Sequence, residues 1–276
     1  MESFIAILKY GNGGNLLLAN KRDNDLTHEM KKNLPKITMG LVVYNGVDHL
    51  KVALESIIKQ SYKNIELIVV DGGSTDGTQN ILHEYANHIS VLVSEPDKGV
   101  YDAMNKVCLL ATGDWLIFLG CDDVLLDNIC DIAASLKQSE AVYYGDVILR
   151  STSKVSGGRF SRYRLMNRNI GHQGIFYPRS VYKNYSYNLD YKWLADYDYN
   201  IRLFGDNVPF IYLKKVISIF NDKGGSSLGD AVFEKHKMKL IREKFGVLLW
   251  IVKLIRNRIE EVAKRIRGGN RPSGWN

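Results

Sequence analysis

The sequence is short of cysteine: Cys108, Cys121 and Cys130 are the only three in 276 residues, and no CxxC pair occurs. An odd count without paired spacing argues against a disulfide framework and a structural zinc site, and points to a reducing compartment. Also absent is any apolar run of the roughly 20 residues that a membrane-spanning helix needs. Glu2 interrupts the short apolar start and no small-residue cleavage site follows it, so no secretory signal is expected. Neither GxGxxG nor GxxxxGKS/T is present, which removes the fingerprints of a dinucleotide fold and of a P-loop. A basic body is missing too. The net charge of +7 arises in residues 235–276, where twelve Lys or Arg face three Glu, a local +9 that leaves −2 for residues 1–234. A nucleic-acid-binding fold carries its basic patch on the body, so no nucleic-acid partner is expected.

What is there is an ordinary globular composition, 45% hydrophobic and 24% charged, long enough to bury a sizeable core. Residues 1–34 read as a mixed N-terminal extension, with GNGGN at 11–15. Pro35 opens a body expected to run to residue 230, and residues 231–276 read as a basic tail. Within the body, ITMGLVVY (37–44), IELIVV (65–70), ISVLVS (89–94) and WLIFLG (115–120) are short apolar runs with strand character. Between them, HLKVALESIIKQ (49–60) sets Leu50, Ala53, Leu54, Ile57 and Ile58 on one helical face, and TQNILHEYA and DAMNKVCLLA are also helical. Strands alternating with helices of about a dozen residues predict an α/β fold with a mostly parallel central sheet covered by helices on both faces. Residues 141–230 are less regular. AVYYGDVIL and VPFIYLKKVISIF read as strands and WLADYDYNIRLF as a helix, a mixed extension of the same domain.

In parallel sheets ligands bind beyond the carboxyl ends of the strands. The first four strands end in Asn45, in Asp71, in Glu95 with Asp97, and in Asp122 with Asp123, and a parallel sheet carries all four ends to one edge. Adjacent carboxylates there can hold one divalent cation, with waters and substrate phosphates completing the shell. The alternative is that Asp123 caps a helix beginning in VLLDNICDIAASL. In VVDGGSTDGT (69–78), Asp71 is placed to accept hydrogen bonds from a base or ribose, and Gly72-Gly73 let the chain turn close to a ligand. Ser74, Thr75 or Asp76 reads equally well as the cap of the next helix. SEPDKGVYDAMNK (94–106) crowds Asp97, Lys98, Gly99, Asp102 and Asn105 where a helix opens, a third wall for a nucleotide pocket.

Five segments, IELIVVDGGSTDGT, EPDKGVYDAMNK, ATGDWLIFLGCDD, HQGIFYPRS and WLADYDYNIRL, stand in the order seen in family 2 of the inverting glycosyltransferases, and the chain resembles that family over roughly residues 35–227. The nearest resemblance is to small bacterial enzymes of capsular, colanic-acid or O-antigen assembly. It implies a GT-A-type nucleotide-sugar-binding fold and transfer of a sugar with inversion. By the same resemblance Tyr44, Asn45, Asp71, Asp97, Gly99, Asp102, Asn105 and Asp122 line the donor site, with UDP the expected carrier and GDP the next. Asp122 and Asp123 match the DxD-type metal motif, whose first position is Cys121 here, so Mn2+ or Mg2+ would rest on Asp123 with Asp122 assisting.

Asp196 matches the family's general base, with Asp198 as its rival; both also suit the first turn of a helix, where the dipole favours acids. His172 and Gln173 are candidates for binding the acceptor, against a structural role. NDKGGSSLGD (221–230) resembles a loop that closes over the diphosphate, or else a linker. In GVLLWIVKLIRNRIEEVAKRIRG (246–268), apolar residues recur at helical spacing among Lys253, Arg256, Lys264, Arg265 and Arg267, with Trp250 suited to an interface. That pattern fits a basic amphipathic helix on an anionic membrane, or else one packed on the domain or on a second copy. With a glycan or lipid-linked glycan as acceptor, the expected location is the cytoplasm, peripherally at the inner face of the cell membrane. A pyrophosphorylase would need a Gly-rich phosphate loop where VVYNG stands. A processive synthase would need transmembrane helices and QxxRW. The alternative that remains is a non-catalytic nucleotide-sugar-binding or scaffold protein.

Overall fold

The computed structural model describes residues 34–224 and 229–266. The expected extension, residues 225–228 of the expected loop, and Arg267 with the rest of the tail lie outside the described residues, as does the side chain of Lys264. Strands β1 (Ile37–Val43), β2 (Ile65–Asp71), β3 (Val91–Ser94) and β4 (Trp115–Gly120) alternate with helices α1 (Leu50–Ile58), α2 (Thr78–Glu84) and α3 (Val100–Leu110). After β4 come β5 (Val124–Leu125), α4 (Ile129–Ala133), β6 (Val142–Leu149), β7 (Val155–Ser156), α5 (Arg162–Leu165), β8 (Ile175–Pro178) and α6 (Arg179–Tyr182). The chain continues through α7 (Ala195–Gly205), β9 (Phe210–Phe220), α8 (Ala231–Phe245) and α9 (Val247–Ile266).

The sheet runs β3-β2-β1-β4-β8-β6-β9-β5, with β7 beside β6. β3, β2, β1 and β4 are parallel. β8 joins antiparallel to β4 and β6, β6 and β9 are parallel, and β5 returns antiparallel on β9. The second half is therefore mixed. Alternation along the central strands decides the packing. Met39, Leu41, Leu67, Val69, Ile117 and Leu119 face one core with α1, while Val42, Ile68, Val70, Leu116 and Phe118 face another with α3 and α7. Helices thus cover both faces, and the strand ends are left for chemistry.

Phe233, Ile241 and Phe245 of α8 are buried in the core of α3 and α7, so the first helix of the basic stretch packs into the body. In α9, Leu249, Trp250 and Val252 pack on that core, and Lys253 is buried with its ammonium on the Asn167 side-chain oxygen at 2.8 Å. The structure therefore corrects two expectations. Trp250 lies inward beneath the Arg242 guanidinium, 5.3 Å from it, and Lys253 is not part of a charged outer face. Val247, Leu248, Ile251, Leu254, Ile255, Ile259 and Val262, spaced by one, three or four residues, form the exposed face. Among the described residues no helix is long and apolar enough to cross a membrane.

Candidate active site

The carboxyl ends of β1, β2 and β4 meet at one edge because the three strands are parallel and in register. Asp71 ends β2 fully buried. Its carboxylate accepts from the Ser74 amide and hydroxyl, and at 2.7 Å from the Ser94 hydroxyl. This residue, expected to face the base or ribose, ties the loop after β2 to the end of β3. The Ser74 hydroxyl in turn accepts from the Asn45 amide at 2.7 Å, and the Asn45 side-chain oxygen accepts from the Thr75 amide at 2.9 Å. That lattice holds Asn45 at φ +49° and leaves the Tyr44 ring 64% exposed beside it.

On the next loop the Asp97 carboxylate accepts from the Gly99 amide at 2.8 Å and lies against Gly72. A Cβ at Gly72 would sit 2.7 Å from Asp97 Oδ2, so a side chain there would push the Asp97 carboxylate aside. Asp102 accepts from the Lys98 amide at 3.1 Å near the start of α3. Asn105 does not join this group. Its amide nitrogen donates to the Tyr187 carbonyl at 3.0 Å and its oxygen accepts from the Tyr187 amide at 2.9 Å, a clamp on the chain approaching α7.

Asp122 and Asp123 converge. A Cβ at Gly120 would lie 2.9 Å from Asp122 Oδ1 and 3.1 Å from Asp123 Oδ2, so both carboxylates fold over the same point. Capping is not the role of Asp123, because Val124–Leu125 is a strand and α4 begins at Ile129 after Asn128. Asp123 is 2% exposed and accepts from the Gly120 amide at 2.8 Å and the Asn221 amide at 3.1 Å. The Asn221 side chain donates to Asp122 at 2.7 Å. Burial first, and then the Asp122 charge, push the Asp123 carboxyl up to about 6 from its ordinary 3.8. Among the described residues no Lys or Arg pairs with either acid.

The described residues contain no cluster of three or more acid, His or Cys ligands for a metal. Two carboxylates whose like-charge repulsion His172 offsets only in part nevertheless fit Mn2+ or Mg2+, which take their remaining ligands from phosphates and water.

Asp196, near the start of α7, has a side chain 9% exposed. Tyr101 Oη lies 2.9 Å from its Oδ1, and Asn169 Nδ2 donates to its Oδ2 at 2.9 Å. His172 Nδ1 stands 3.3 Å from Oδ2. Asp198, the rival base, is paired with Arg202 Nε at 2.8 Å. Burial would lower the His172 pKa, but the Asp196 hydrogen bond and charge, with the charges of Asp123 and Asp122, outweigh it and raise the group. His172 thus stands in the field of both clusters. Gln173 is buried, and its carbonyl accepts from the Ser218 hydroxyl at 2.9 Å.

Three contributors escape the motif reading. Asn221 opens the quoted NDKGGSSLGD segment without a role of its own, and it follows the end of β9. Tyr101 lies inside a quoted motif without a role of its own. Asn169 carried no signal at all.

Residues 39–204 match the model of glycosyl transferase family 2. The chain belongs to that family. This glycosyltransferase is 39% identical over 230 residues to the PGL/p-HBAD biosynthesis glycosyltransferases of Mycobacterium bovis and Mycobacterium tuberculosis, covering 79% of this chain and 89% of theirs. Its fold is similar to that of Staphylococcus aureus TarS residues 1–349 in complex with UDP-GlcNAc (TM-score 0.59, 19% identity, 76% of this chain and 71% of that one). The match spans 43% of the longer S. aureus TarS chain. The mannosyltransferase PcManGT of Pyrobaculum calidifontis, determined with GDP-Man and Mn2+, is similar over 97% of this chain and 76% of its own (TM-score 0.57, 17% identity). These structural likenesses establish the GT-A-like fold.

Proposed function

We propose that this glycosyltransferase moves a sugar, with inversion, from a nucleoside-diphosphate donor to a hydroxyl of a glycan or lipid-linked glycan in surface polysaccharide assembly. In this reading Mn2+ or Mg2+ binds at Asp123 and Asp122. The observation that carries it is the pair of converging carboxylates over Gly120, one of them pushed up to about 6. When bound, the cation supplies positive charge against the leaving diphosphate. The exposed Tyr44 ring stacks on the base, and Asn45, Asp97, Gly99 and Asp102 line the donor pocket. Asp71 and Asn105 hold its frame through the hydrogen bonds described. Asp196 and its partners form the centre that removes the acceptor proton, assistance worth about 10²–10⁴-fold in rate. Gln173 borders the acceptor side next to His172. UDP is the carrier we expect, with GDP next, and neighbours of the same fold were determined with UDP-GlcNAc and with GDP-Man.

A thermal-shift panel of UDP- and GDP-sugars, each with and without Mn2+, tests the reading. A true donor raises the melting temperature by mass action, and more with the metal. No shift from any sugar nucleotide would contradict it, and so would a product that retains the donor's anomeric configuration.

We also propose that the exposed face of α9 rests on an anionic membrane. Seven apolar residues recur along it, and the Arg258 and Arg265 side chains beside them are 77% and 75% exposed. Ile255→Asp with Ile259→Asp changes exposed positions only. Co-sedimentation with phosphatidylglycerol vesicles should fall at least tenfold with unchanged melting temperature, and equal binding would refute the assignment.

A further inference from the structure

We propose that the acceptor carries a phosphoryl group joined to its sugar, and that the Arg168 guanidinium binds it. This rests on the proposed sugar transfer and names what the acceptor side recognises.

Charge within the body is laid down unevenly. Between Asp146 and Asp190 stand eight Lys or Arg and no Asp or Glu. Arg179 pairs with Asp114 at 3.6 Å, but among the described residues Arg150, Lys154, Arg159, Arg162, Arg164 and Arg168 form no ion pair. Exposed members of such a run are simply solvated. Arg168 differs, because it is partly buried. Among the described residues its guanidinium donates to the Ser156 hydroxyl and meets no carboxylate. Burial and the neighbouring Arg164 charge both lower this group, and no acid opposes them. Arg164 is itself held in place, over the Phe160 ring at 4.6 Å and donating to the Arg159 carbonyl at 2.8 Å. A guanidinium withdrawn from water with a hydroxyl for company lacks the counter-charge that offsets burial. Its planar fork of N–H donors matches a phosphoryl group, and the second cation beside it favours more than one negative charge.

Position ties this cation to the acceptor side. Ser156 stands opposite Val147 in the antiparallel β6–β7 pair, and opposite residues share a face. On that face Val147 meets the turn that carries His172 and Gln173: a Cβ at Gly171 would lie 3.7 Å from it, and one at Gly174 3.2 Å. Ser218, the β9 partner of Val147, donates to the Gln173 carbonyl at 2.9 Å. The guanidinium on Ser156 therefore stands beside that turn. Along the chain, Arg168 directly precedes Asn169, whose amide donates to Asp196 at 2.9 Å. The same segment touches α9, through Asn167 with Lys253 at 2.8 Å and Tyr163 with Arg256 at 3.4 Å. A phosphoryl group linking a lipid to its sugar would lie between such a helix and the proposed base.

The test uses the full chain with Mn2+ and saturating UDP or GDP, whichever the thermal-shift panel selects, so that the donor edge is occupied. Farnesyl phosphate is the probe, titrated by calorimetry, with farnesol and farnesoic acid as its uncharged and carboxylate controls. Wild type should bind the probe and take both controls more weakly by about tenfold or more. Arg168→Gln should weaken the probe about 10–100-fold, with melting temperature and nucleotide affinity unchanged. Arg168→Lys, which keeps the charge without the fork, should recover part of the loss. Arg162→Gln, at an exposed position of the same run, should change binding no more than about threefold. The proposal is overturned if wild type does not distinguish the probe from farnesol, or if Arg168→Gln binds it as wild type does. Equal losses in Arg162→Gln and Arg168→Gln would also overturn it, as would a loss of phosphatidylglycerol vesicles with the probe retained, the mark of a membrane contact. A wild type that takes neither nucleotide fails at the sugar transfer itself, a result read before the probe is added.

Discussion

The two ends of the same parallel strands treat a buried acid in opposite ways. At the amino-terminal edge, Glu66 of β2 receives the Lys36 ammonium at 2.9 Å, the Thr38 hydroxyl at 2.6 Å, and the Thr112 hydroxyl and amide. Burial alone would raise it. The hydrogen bonds, led by Lys36, outweigh burial and hold the carboxyl down at about 2. At the carboxyl-terminal edge, Asp123 has two backbone amides and a like-charged neighbour, and it is pushed up to about 6. One acid is satisfied within the chain, stitching β1, β2 and the approach to β4 together. The other keeps a like-charge repulsion that no Lys or Arg among the described residues relieves and that His172 offsets only in part. The contrast separates an edge built for stability from an edge built to receive a ligand.

Breaking each acid should therefore have different consequences. The largest effect is expected for Asp123→Ala, with turnover reduced by about 10³-fold through loss of the cation's several kcal/mol, while the fold survives in circular dichroism. Next, Glu66→Ala should cost about 3 kcal/mol in denaturant unfolding, because Thr38 and Thr112 lose their acceptor and Lys36 its counter-ion. Donor affinity per folded molecule should not change, since Glu66 lies at the far edge.

The smallest effect, about 2 kcal/mol, is a dependence on pH in the metal-free protein. Asp123 is raised in the folded state, so its stabilising contribution is full below about pH 4 and is lost as pH rises through about 6. Glu66 is depressed, so its contribution is full above about 4.5 and is lost as pH falls towards about 2. Melting temperature should therefore decline between about pH 4 and 6, and Mn2+ should flatten that decline. A flat metal-free curve would remove the contrast between the edges.

The sequence disclosed the parallel half of the fold well, because β1, β2 and β4 are continuous apolar runs and the helices between them show one apolar face. It also put Asp122 and Asp123 at the carboxyl end of β4, since their position follows from strand direction alone. It did not show the partners that certain residues meet in the fold. Asp71 and Asn105 look available in a motif but are committed to Ser74, Ser94 and Tyr187. Trp250 and Lys253 read as an outer face because helical periodicity does not say which stripe meets the body. Asn221 and Asn169 reach the site only through tertiary packing, 98 residues from Asp123 and 27 from Asp196.

The central claim is that the Asp122–Asp123 pair is a cation site at the sugar-nucleotide edge. Its most direct test is a titration of Mn2+ followed by the electron paramagnetic resonance of the free ion, in the presence of UDP or GDP at pH 7.5. One Mn2+ bound per wild-type chain, with binding lost in Asp123→Asn and weakened below about pH 6, is the predicted result. Equal Mn2+ binding by wild type and Asp123→Asn, or none by either, would contradict it.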